Sequence, residues 1–330
     1  MPILSIYLGR SEVSFLIFNS PEDYKVYNYP YSLTEPDFIK ELIKVVSKEL
    51  KTPNLSKYDL LMCGFPEVPK IDTEPKLSIT LDKVATGIKE FYPVFMSNFS
   101  ILTASSFLSV AKLEYVDISM SDFFPNLSIY PYLLPSDSLE QFTLDNFIRF
   151  FPADLTAHNI NVPMVFSGER FGFDFSGDPL SYMLIIDLVK SLGFYELRHD
   201  PQNIVANLSM IAKYDEKYSN LLADFKFLNL GYLVNAPGTV EGLLETESGT
   251  RQFFEVGSDK LFLIPLAEEH NRVVIKSSVL GNIEKTVSGG KLGLIIDTRP
   301  KSNPQIFNDD YVEKGLNVWT TSLREVISSL

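Results

Sequence analysis

Four short apolar segments of the sequence end in turns that contain small residues: Gly9, Gly64 to Pro66, Asp117 to Ser121, and Ser167 with Gly168. Small residues at such turns let backbone N–H groups approach a phosphate or a sugar closely. The chemistry that these turns could support is therefore phosphate or nucleotide binding. Any α/β domain also contains such turns as plain connections, so each turn taken alone fits a structural role at least as well.

Other catalytic arrangements are incomplete. Ser-His-Asp chemistry would need His158, His199 or His270, but the sequence has no Gly-x-Ser-x-Gly elbow. We expect His199 and Asp200 to lie in a surface turn before Pro201. No GxxxxGK[ST] loop offers a second phosphate site. The sequence therefore predicts no catalytic residue.

The lone cysteine and one acidic cluster could also support chemistry. Cys63 lies in an apolar segment, which favours a packed thiol over a nucleophile. Glu245, Glu247 and Glu255 could bind a cation, but solvated carboxylates are the simpler interpretation. No Cys/His cluster has metal-ligand spacing. We therefore expect no resident metal.

The N-terminal elements must position Gly9. Residues 3–8 and 13–18 are apolar and flank a short turn at Gly9, which is the pattern of a hairpin. Residues 24–31 extend it as a meander. The next elements are a predicted helix over 36–50 and a buried strand over 58–66.

The middle of the chain must position the other two turns. Residues 113–118 predict a strand with 128–134 as its hairpin partner, and 162–168 predict a strand leading into the Gly168 turn. Residues 77–101 fit helix and strand equally. Apolar spacing predicts helices over 138–151, 179–192 and 204–214.

The last third changes to strands separated by Gly or Pro, which indicates a small, largely antiparallel β domain. A closing helix is predicted over 309–329. The predicted strands are 227–235, 249–256, 261–266, 272–279 and 292–296.

The order of these turns resembles that of the actin-like ATPase superfamily. In that family two hairpins clamp phosphates and metal, and a Gly-Gly turn holds the adenosine; here the corresponding segments are the Gly9 hairpin, Val116 to Ser121, and Val165 to Gly168. The glutamate-mutase accessory (MutL-like) branch is the most similar, also through Leu192 to Leu197 and Gly289 to Pro300. The resemblance implies an α/β, actin-like (ribonuclease H-like) two-lobed fold with an added C-terminal antiparallel β domain.

The sequence departs from the family pattern where phosphate chemistry is done. Tyr7 stands where the family has the acid that holds magnesium-bound water, Ser119 and Met120 replace glycines, and Glu169 follows a single Gly168. Phosphoryl transfer needs its charge neutralised by metal or cations, so we expect a degenerate ATPase without a required cofactor. If ATP with magnesium still binds, the resemblance implies that it faces Gly9, Asp117, Ser119, Ser121, Gly168 and Glu169.

Composition limits the partners. The 330 residues carry a formal net charge of −13, which repels nucleic acid. A single cysteine favours a reducing compartment, and we find neither a signal peptide nor an apolar run long enough to span a membrane. We expect a cytoplasmic protein. The aromatic run Phe171 to Phe175 fits a protein partner and a buried core equally.

These observations predict a non-hydrolytic actin-like scaffold or assembly protein with a protein partner. Two alternatives remain: an active ATPase that reactivates a mutase-type enzyme, and an actin-like component of a pilus or division apparatus. The predicted domains are a degenerate N-terminal lobe over 1–120, a second lobe over 121–224, a β domain over 225–305 and a helix over 306–330.

Overall fold

The computed structural model describes residues 1–9, 12–30, 57–64, 74–85, 90–96, 101–103, 162–168, 191–268 and 270–300, with residues 44, 48, 88, 182, 185, 186 and 189. The chain divides into two compact units. Among the described residues, unit 1 contains those up to 103 together with 166–168 and 200–227. Unit 2 contains 162–165, 182–199 where described, and 228–300 apart from residue 269.

Unit 1 contains both strands and short helices. Its elements in chain order are β1 (Ile3–Leu8), β2 (Glu12–Ser20), β3 (Asp23–Pro30), β4 (Asp59–Gly64), β5 (Leu77–Thr80), α1 (Leu81–Ala85), β6 (Tyr92–Met96), β7 (Ile101–Thr103), the end of β8 (Met164–Ser167), α2 (Val205–Tyr214) and α3 (Leu221–Asp224).

Five of these strands form a mixed sheet in the order β3-β2-β1-β4-β5. The first three strands are antiparallel neighbours, while β1, β4 and β5 run parallel to one another. Parallel neighbours need a crossover between them, and the chain leaves β3 and returns as β4 on the other side of β1. The sheet is therefore mixed, as expected for the α/β fold class predicted from the sequence.

Strand β1 lies at the centre of the sheet and is buried along its whole length. Alternate side chains of a strand point to opposite faces. Leu4, Ile6 and Leu8 pack into an apolar cluster with side chains of β2 and β4, whereas Ser5 bonds to Asn207 of α2. Burial on both faces explains why this strand reads as a nearly continuous apolar run.

Unit 2 contains two sheets. Its strands are β9 (Gly193–His199), β10 (Leu228–Asn235), β11 (Val240–Glu245), β12 (Arg251–Val256), β13 (Leu261–Ile264), β14 (His270–Ser277), β15 (Gly281–Ser288) and β16 (Leu294–Asp297). The first sheet includes the order β13-β16-β10-β9, in which only β10 and β16 are parallel neighbours. The second is a fully antiparallel sheet in the order β12-β11-β14-β15.

One face of the antiparallel sheet packs on β10, β13 and β16. Val240, Leu244 and Ile275 of that sheet belong to the same buried cluster as Val234 and Ile296. Gly242 makes room for a ring in this layer, because a Cβ there would lie 2.1 Å from Cζ of the Phe254 ring. The sheet therefore has an inner face that is buried and an outer face that is not part of this core.

Several sequence-based predictions are confirmed. The meander, the strand before Gly64, the strand before Gly168 and the helix over 204–214 appear as β1 to β3, β4, β8 and α2. Residues 77–101 contain β5, α1 and β6 and the first residue of β7. Strands β9, β11 and β15 were not predicted, and β10 and β16 pair in parallel. Four predicted elements lie wholly outside the described residues: those over 113–118, 128–134, 138–151 and 309–329. In the helices predicted over 36–50 and 179–192 only scattered residues are described, and Lys44, Lys48, Tyr182, Ile185 and Ile186 are helical there.

Across the described part of the chain, no helix is both long and apolar enough to cross a membrane.

Candidate functional site

Two of the turns singled out in the sequence lie within unit 1. Gly9 directly follows β1 in the β1–β2 hairpin, and its backbone N–H donates to the carbonyl oxygen of Glu12 at 2.9 Å. Gly168 follows β8 with φ at +109°, a conformation that favours glycine. Its backbone N–H donates to Asn203 Oδ1 at 3.0 Å. In each turn, the amide that could have approached a phosphate already has an internal acceptor.

Asn203 connects the two turns. Its Nδ2 donates to Glu12 Oε1 at 2.9 Å, while its Oδ1 accepts from Gly168 N and lies 3.1 Å from Ser167 Oγ. The residue is fully buried and has φ at +52°, in the left-handed region that asparagine tolerates better than most residues. A single buried side chain therefore links β2 to the end of β8.

Asp200 is a buried carboxyl group in the same network. Its Oδ2 accepts from Ser167 Oγ at 2.8 Å and from the backbone N–H of Val205 at 2.9 Å, in the first turn of α2. Burial raises the pKa of Asp200 to about 6; the Val205 amide, the Ser167 hydroxyl and the amides of Ile204 and Gln202 oppose this rise but do not cancel it. Asp200 Oδ1 has no hydrogen-bond partner among the described residues.

The prediction that His199 and Asp200 lie in a surface turn is wrong. Both residues are buried, at 2% and 0% exposure. His199 ends strand β9, and the backbone N–H of Asp200 donates to the carbonyl oxygen of Phe166 at 2.9 Å. Residues 195–199 do alternate between buried and half-buried positions, but the polar pair His199-Asp200 before Pro201 has the composition of a turn.

A second polar cluster supports the first. Ser5 Oγ donates to Asn207 Oδ1 at 2.9 Å, and Asn207 Nδ2 donates to Ser14 Oγ at 3.0 Å. All three residues are buried. These bonds tie α2 to both strands of the Gly9 hairpin, so they fix the distance between that hairpin and Asn203, which lies just before the helix.

The first hairpin has a buried carboxylate, but not at the position examined in the sequence. Tyr7, where the family resemblance places an acid, is 2% exposed within β1. Glu12, the first residue of β2, is also buried and accepts from Asn203. Glu12 follows the glycine turn, whereas the family pattern has its acid before the turn, so the resemblance did not point to this residue. Asp117, Ser119, Ser121 and Glu169 lie outside the described residues.

The described residues of this site do not fit magnesium-bound ATP. The N–H groups of Gly9 and Gly168 are bonded internally, and Glu12 accepts from Asn203. No group of three or more His, Cys, Asp or Glu side chains that could hold a metal occurs among the described residues. These polar groups bond mainly to one another, and Asp200 Oδ1 is left without a partner among the described residues.

The glycines of the segment 289–293 have a packing role in unit 2. A Cβ on Gly231 would lie 2.2 Å from the carbonyl oxygen of Gly293, and one on Gly290 would lie 2.6 Å from the Cα of Gly231. Distances this short leave no room for a side chain. These glycines are therefore explained by the close approach of β10 to the loop before β16, without a ligand.

The strand β16 ends in a buried ion pair. Arg299 Nε donates to Asp297 Oδ1 at 2.8 Å and Arg299 Nη2 donates to Oδ2 at 2.7 Å. Both side chains are 2% exposed or less. Such a two-point contact holds the guanidinium in a fixed plane, so the Asp297-Thr298-Arg299 segment is held rigidly.

The lone cysteine and the acidic cluster can be placed as well. Cys63 is buried in β4, in agreement with a packed thiol. Glu245 contacts Arg251 at 2.8 Å and Arg272 at 3.0 Å, and these two bonds lower the pKa of its carboxyl. Glu245 is therefore an ion-pair partner on a sheet surface.

No protein-family model matches the chain, and no curated protein matches it. Among solved structures it is similar to an activator of 2-hydroxyisocaproyl-CoA dehydratase from Clostridium difficile with bound ADPNP (8% identity, TM-score 0.38, 68% of this chain and 98% of that chain). It is also similar to the ethanolamine utilization protein EutJ from Carboxydothermus hydrogenoformans (10% identity, TM-score 0.38, 64% and 89%). A third similar structure is component A of the (R)-2-hydroxyglutaryl-CoA dehydratase from Acidaminococcus fermentans (12% identity, TM-score 0.41, 66% and 99%). The mixed sheet of unit 1 and the helices α1 to α3 give the chain an α/β fold.

Proposed function

We propose that this chain is an actin-like protein that does not hydrolyse ATP and that acts as a scaffold or assembly protein through protein contacts. The observation that supports this most directly is the position of Asn203. It accepts from the Gly168 N–H and donates to Glu12, so it uses a donor and an acid that a nucleotide and its metal would need.

The chemistry of phosphoryl transfer gives the physical reason. The reaction requires cations and backbone donors that stabilise charge on the transferring phosphoryl group. At the first hairpin, β1 carries a buried Tyr7 in place of an acid, and the Gly9 N–H is bonded to the Glu12 carbonyl oxygen. A phosphate would have to displace these bonds before it gained any of its own, which favours weak or absent binding.

The finer parts of the proposal rest on the sequence. We place the protein near the glutamate-mutase accessory branch, in the cytoplasm, with a protein partner. The proposed domains are residues 1–120, 121–224, 225–305 and 306–330. The antiparallel sheet β12-β11-β14-β15 is consistent with the proposed C-terminal β domain.

Calorimetry with the purified full chain tests the main proposal. Titration with ATP and magnesium should give no saturable heat up to about 1 mM nucleotide, and no phosphate should be released. Asn203→Ala, which frees the Gly168 N–H, is the informative variant, and Asn207→Ala is its matched control in the same unit. If Asn203→Ala bound ATP and Asn207→Ala did not, the result would support the proposal that the Asn203 side chain prevents nucleotide binding. Micromolar, magnesium-dependent binding and turnover by the wild type would refute the proposal.

An active ATPase is the second candidate, and Glu12 is the observation that favours it. A buried carboxylate beside the Gly9 turn could organise a metal if the Asn203 bond opened. In that case both Glu12→Gln and Asp117→Ala should abolish turnover measured by phosphate release. Unchanged turnover in both variants would count against an actin-like ATPase mechanism.

A further inference from the structure

The outer face of the antiparallel sheet carries an exposed apolar row. Residues paired directly across antiparallel strands project to the same face. Leu243 of β11 pairs with Phe253 of β12 and with Val274 of β14. Phe253 is 78% exposed, and the other two are partly exposed. A contiguous apolar row of this kind, crossing three strands, is typical of an interaction surface.

Charged residues flank this row on both sides. On one side Glu241 pairs with Lys276, whose side chains lie 3.8 Å apart and are mostly exposed. On the other side Glu245 pairs with Arg272 at 3.0 Å. An apolar centre with a polar rim is the usual organisation of a protein interface.

The face is nearly neutral on a strongly acidic chain. The seven charged side chains on it sum to −1, whereas the whole chain carries −13. Two copies of an acidic protein repel each other over most of their surfaces, and a nearly neutral face reduces that repulsion. The charged residues of the face are Glu241, Glu245, Glu255, Glu284, Arg251, Arg272 and Lys276.

We propose that this outer face binds a second copy of the same chain. The evidence for that occupant is that the face is complementary to itself. Consider a two-fold axis that runs parallel to the strands, in the interface and between β11 and β14. It places β11 of one copy over β14 of the other, and residues at the same height along the strands face each other. Leu243 then faces Val274 of the second copy, Glu241 faces its Lys276, and Glu245 faces its Arg272. Every one of these contacts occurs twice, as an interface between identical patches requires.

The remaining strands fit the same arrangement. The axis exchanges β12 with β15, because the sheet order is β12-β11-β14-β15. Phe253 therefore lies over β15 of the second copy. The β15 residue in the same row is Glu284, because Glu284 pairs with Val274. The ring would cover the methylene groups of that glutamate while its carboxylate stays bonded to Arg272.

The size of the face predicts a weak dimer. Four strands spaced by about 4.8 Å and about six residues long at about 3.4 Å each cover roughly 400 Å² in projection. Stable interfaces bury about 800 Å² of accessible surface per partner. We expect a dissociation constant on the order of 100 µM. The proposal does not depend on whether a nucleotide binds.

Sedimentation of the full chain from about 5 to 500 µM tests the proposal. The wild type should shift from monomer to dimer. Phe253→Ser should raise the dissociation constant about tenfold or more, whereas Phe262→Ser, an exposed phenylalanine on β13 outside this face, should leave it unchanged. A strictly monomeric wild type, or equal effects of the two serine variants, would overturn the proposal.

Charge reversal tests the two-fold arrangement and identifies the occupant. Glu241→Lys and Lys276→Glu each place two like-charge contacts in a symmetric dimer, so each variant alone should lose about tenfold or more in affinity. An equimolar mixture should recover wild-type affinity, because each remaining contact then joins opposite charges. Lys226→Glu, exposed in unit 1, is the charge control. Failure of the mixture to recover would exclude this dimer and leave another protein as the occupant of the face.

Discussion

Replacing Asp200 by asparagine is expected to remove a pH-dependent loss of stability. Asp200 Oδ2 accepts from Ser167 and Val205, while Oδ1 has no hydrogen-bond partner among the described residues. A protonated carboxyl group, with its proton on Oδ1, has the hydrogen-bonding pattern of an asparagine at this position. The substitution therefore preserves both accepted bonds and removes the charge.

The pKa gives the sign and the magnitude. The folded-state pKa of Asp200, about 6, lies above the ordinary value of 3.8 because the carboxyl is buried. The folded state therefore holds the proton more tightly than the unfolded state does. The stabilisation of the folded state by protonated Asp200 is fully present below pH 3.8 and is lost as the pH rises through 6. A pKa difference of about 2 corresponds to about 3 kcal/mol of unfolding free energy.

Urea denaturation between about pH 4 and pH 7.5 measures this term. We expect the two proteins to have similar stability at the acid end and Asp200→Asn to be more stable by about 3 kcal/mol at the neutral end. Asp224→Asn in α3 removes an exposed carboxylate in the same unit and is the control; it should show no such divergence. A difference between wild type and Asp200→Asn that stays constant with pH, or that favours the wild type at pH 7.5, would refute the reasoning.

Two further substitutions test the packing of unit 2. Gly231→Ala should lower the free energy of unfolding by about 2–4 kcal/mol, since the new Cβ would lie 2.2 Å from the Gly293 carbonyl oxygen at φ +128°. Urea denaturation compares this variant with Gly257→Ala, whose Cβ would meet open space. Equal losses of unfolding free energy in the two variants would contradict the close approach of Gly231 to Gly293. Arg299→Met should cost about 3–5 kcal/mol by the same assay, because it leaves the buried Asp297 carboxylate without its guanidinium. Adding Asp297→Asn should recover part of that loss, and no recovery would argue against the ion pair as its cause.

Elements whose pattern is local were predictable from the sequence. The meander β1 to β3 alternates or runs apolar between short turns, and α2 places Val205, Leu208 and Ile211 on a helical repeat. Strands β1 and β2 and helix α2 bury most of their side chains, and β3 is partly exposed. Their periodicity therefore reflects contacts that the fold makes.

The missed strand β15 lacks such a pattern. β15 reads Gly-Asn-Ile-Glu-Lys-Thr-Val-Ser, and of these only Val287 is buried. It is a strand because it pairs along its whole length with β14, from Ser288 opposite His270 to Gly281 opposite Ser277. Cross-strand pairing of this kind depends on the neighbour, so propensity read along one chain segment does not reveal it.

The buried network could not be found from the sequence for a different reason. Glu12 and Asn203 are 191 positions apart, and no spacing rule connects residues at that distance. The fold brings them together by packing α2 on β1 through Ser5 and Asn207. The turns at Gly9 and Gly168 could be identified as sites of close backbone approach, but their actual hydrogen-bond partners depend on this tertiary contact.

If a nucleotide faces Gly168, as proposed above, the single backbone N–H of this residue limits its binding. This N–H donates to Asn203 Oδ1, and a phosphate oxygen at the same place would have to displace that acceptor. The displaced Asn203 would also release its bond to Glu12, which is a buried carboxylate. Each buried polar group left without a partner costs about 1–3 kcal/mol, and more if it is charged. A nucleotide must therefore first offset the loss of two coupled bonds, and this is why Asn203, rather than either glycine, is the residue whose replacement decides between a closed scaffold and an ATPase.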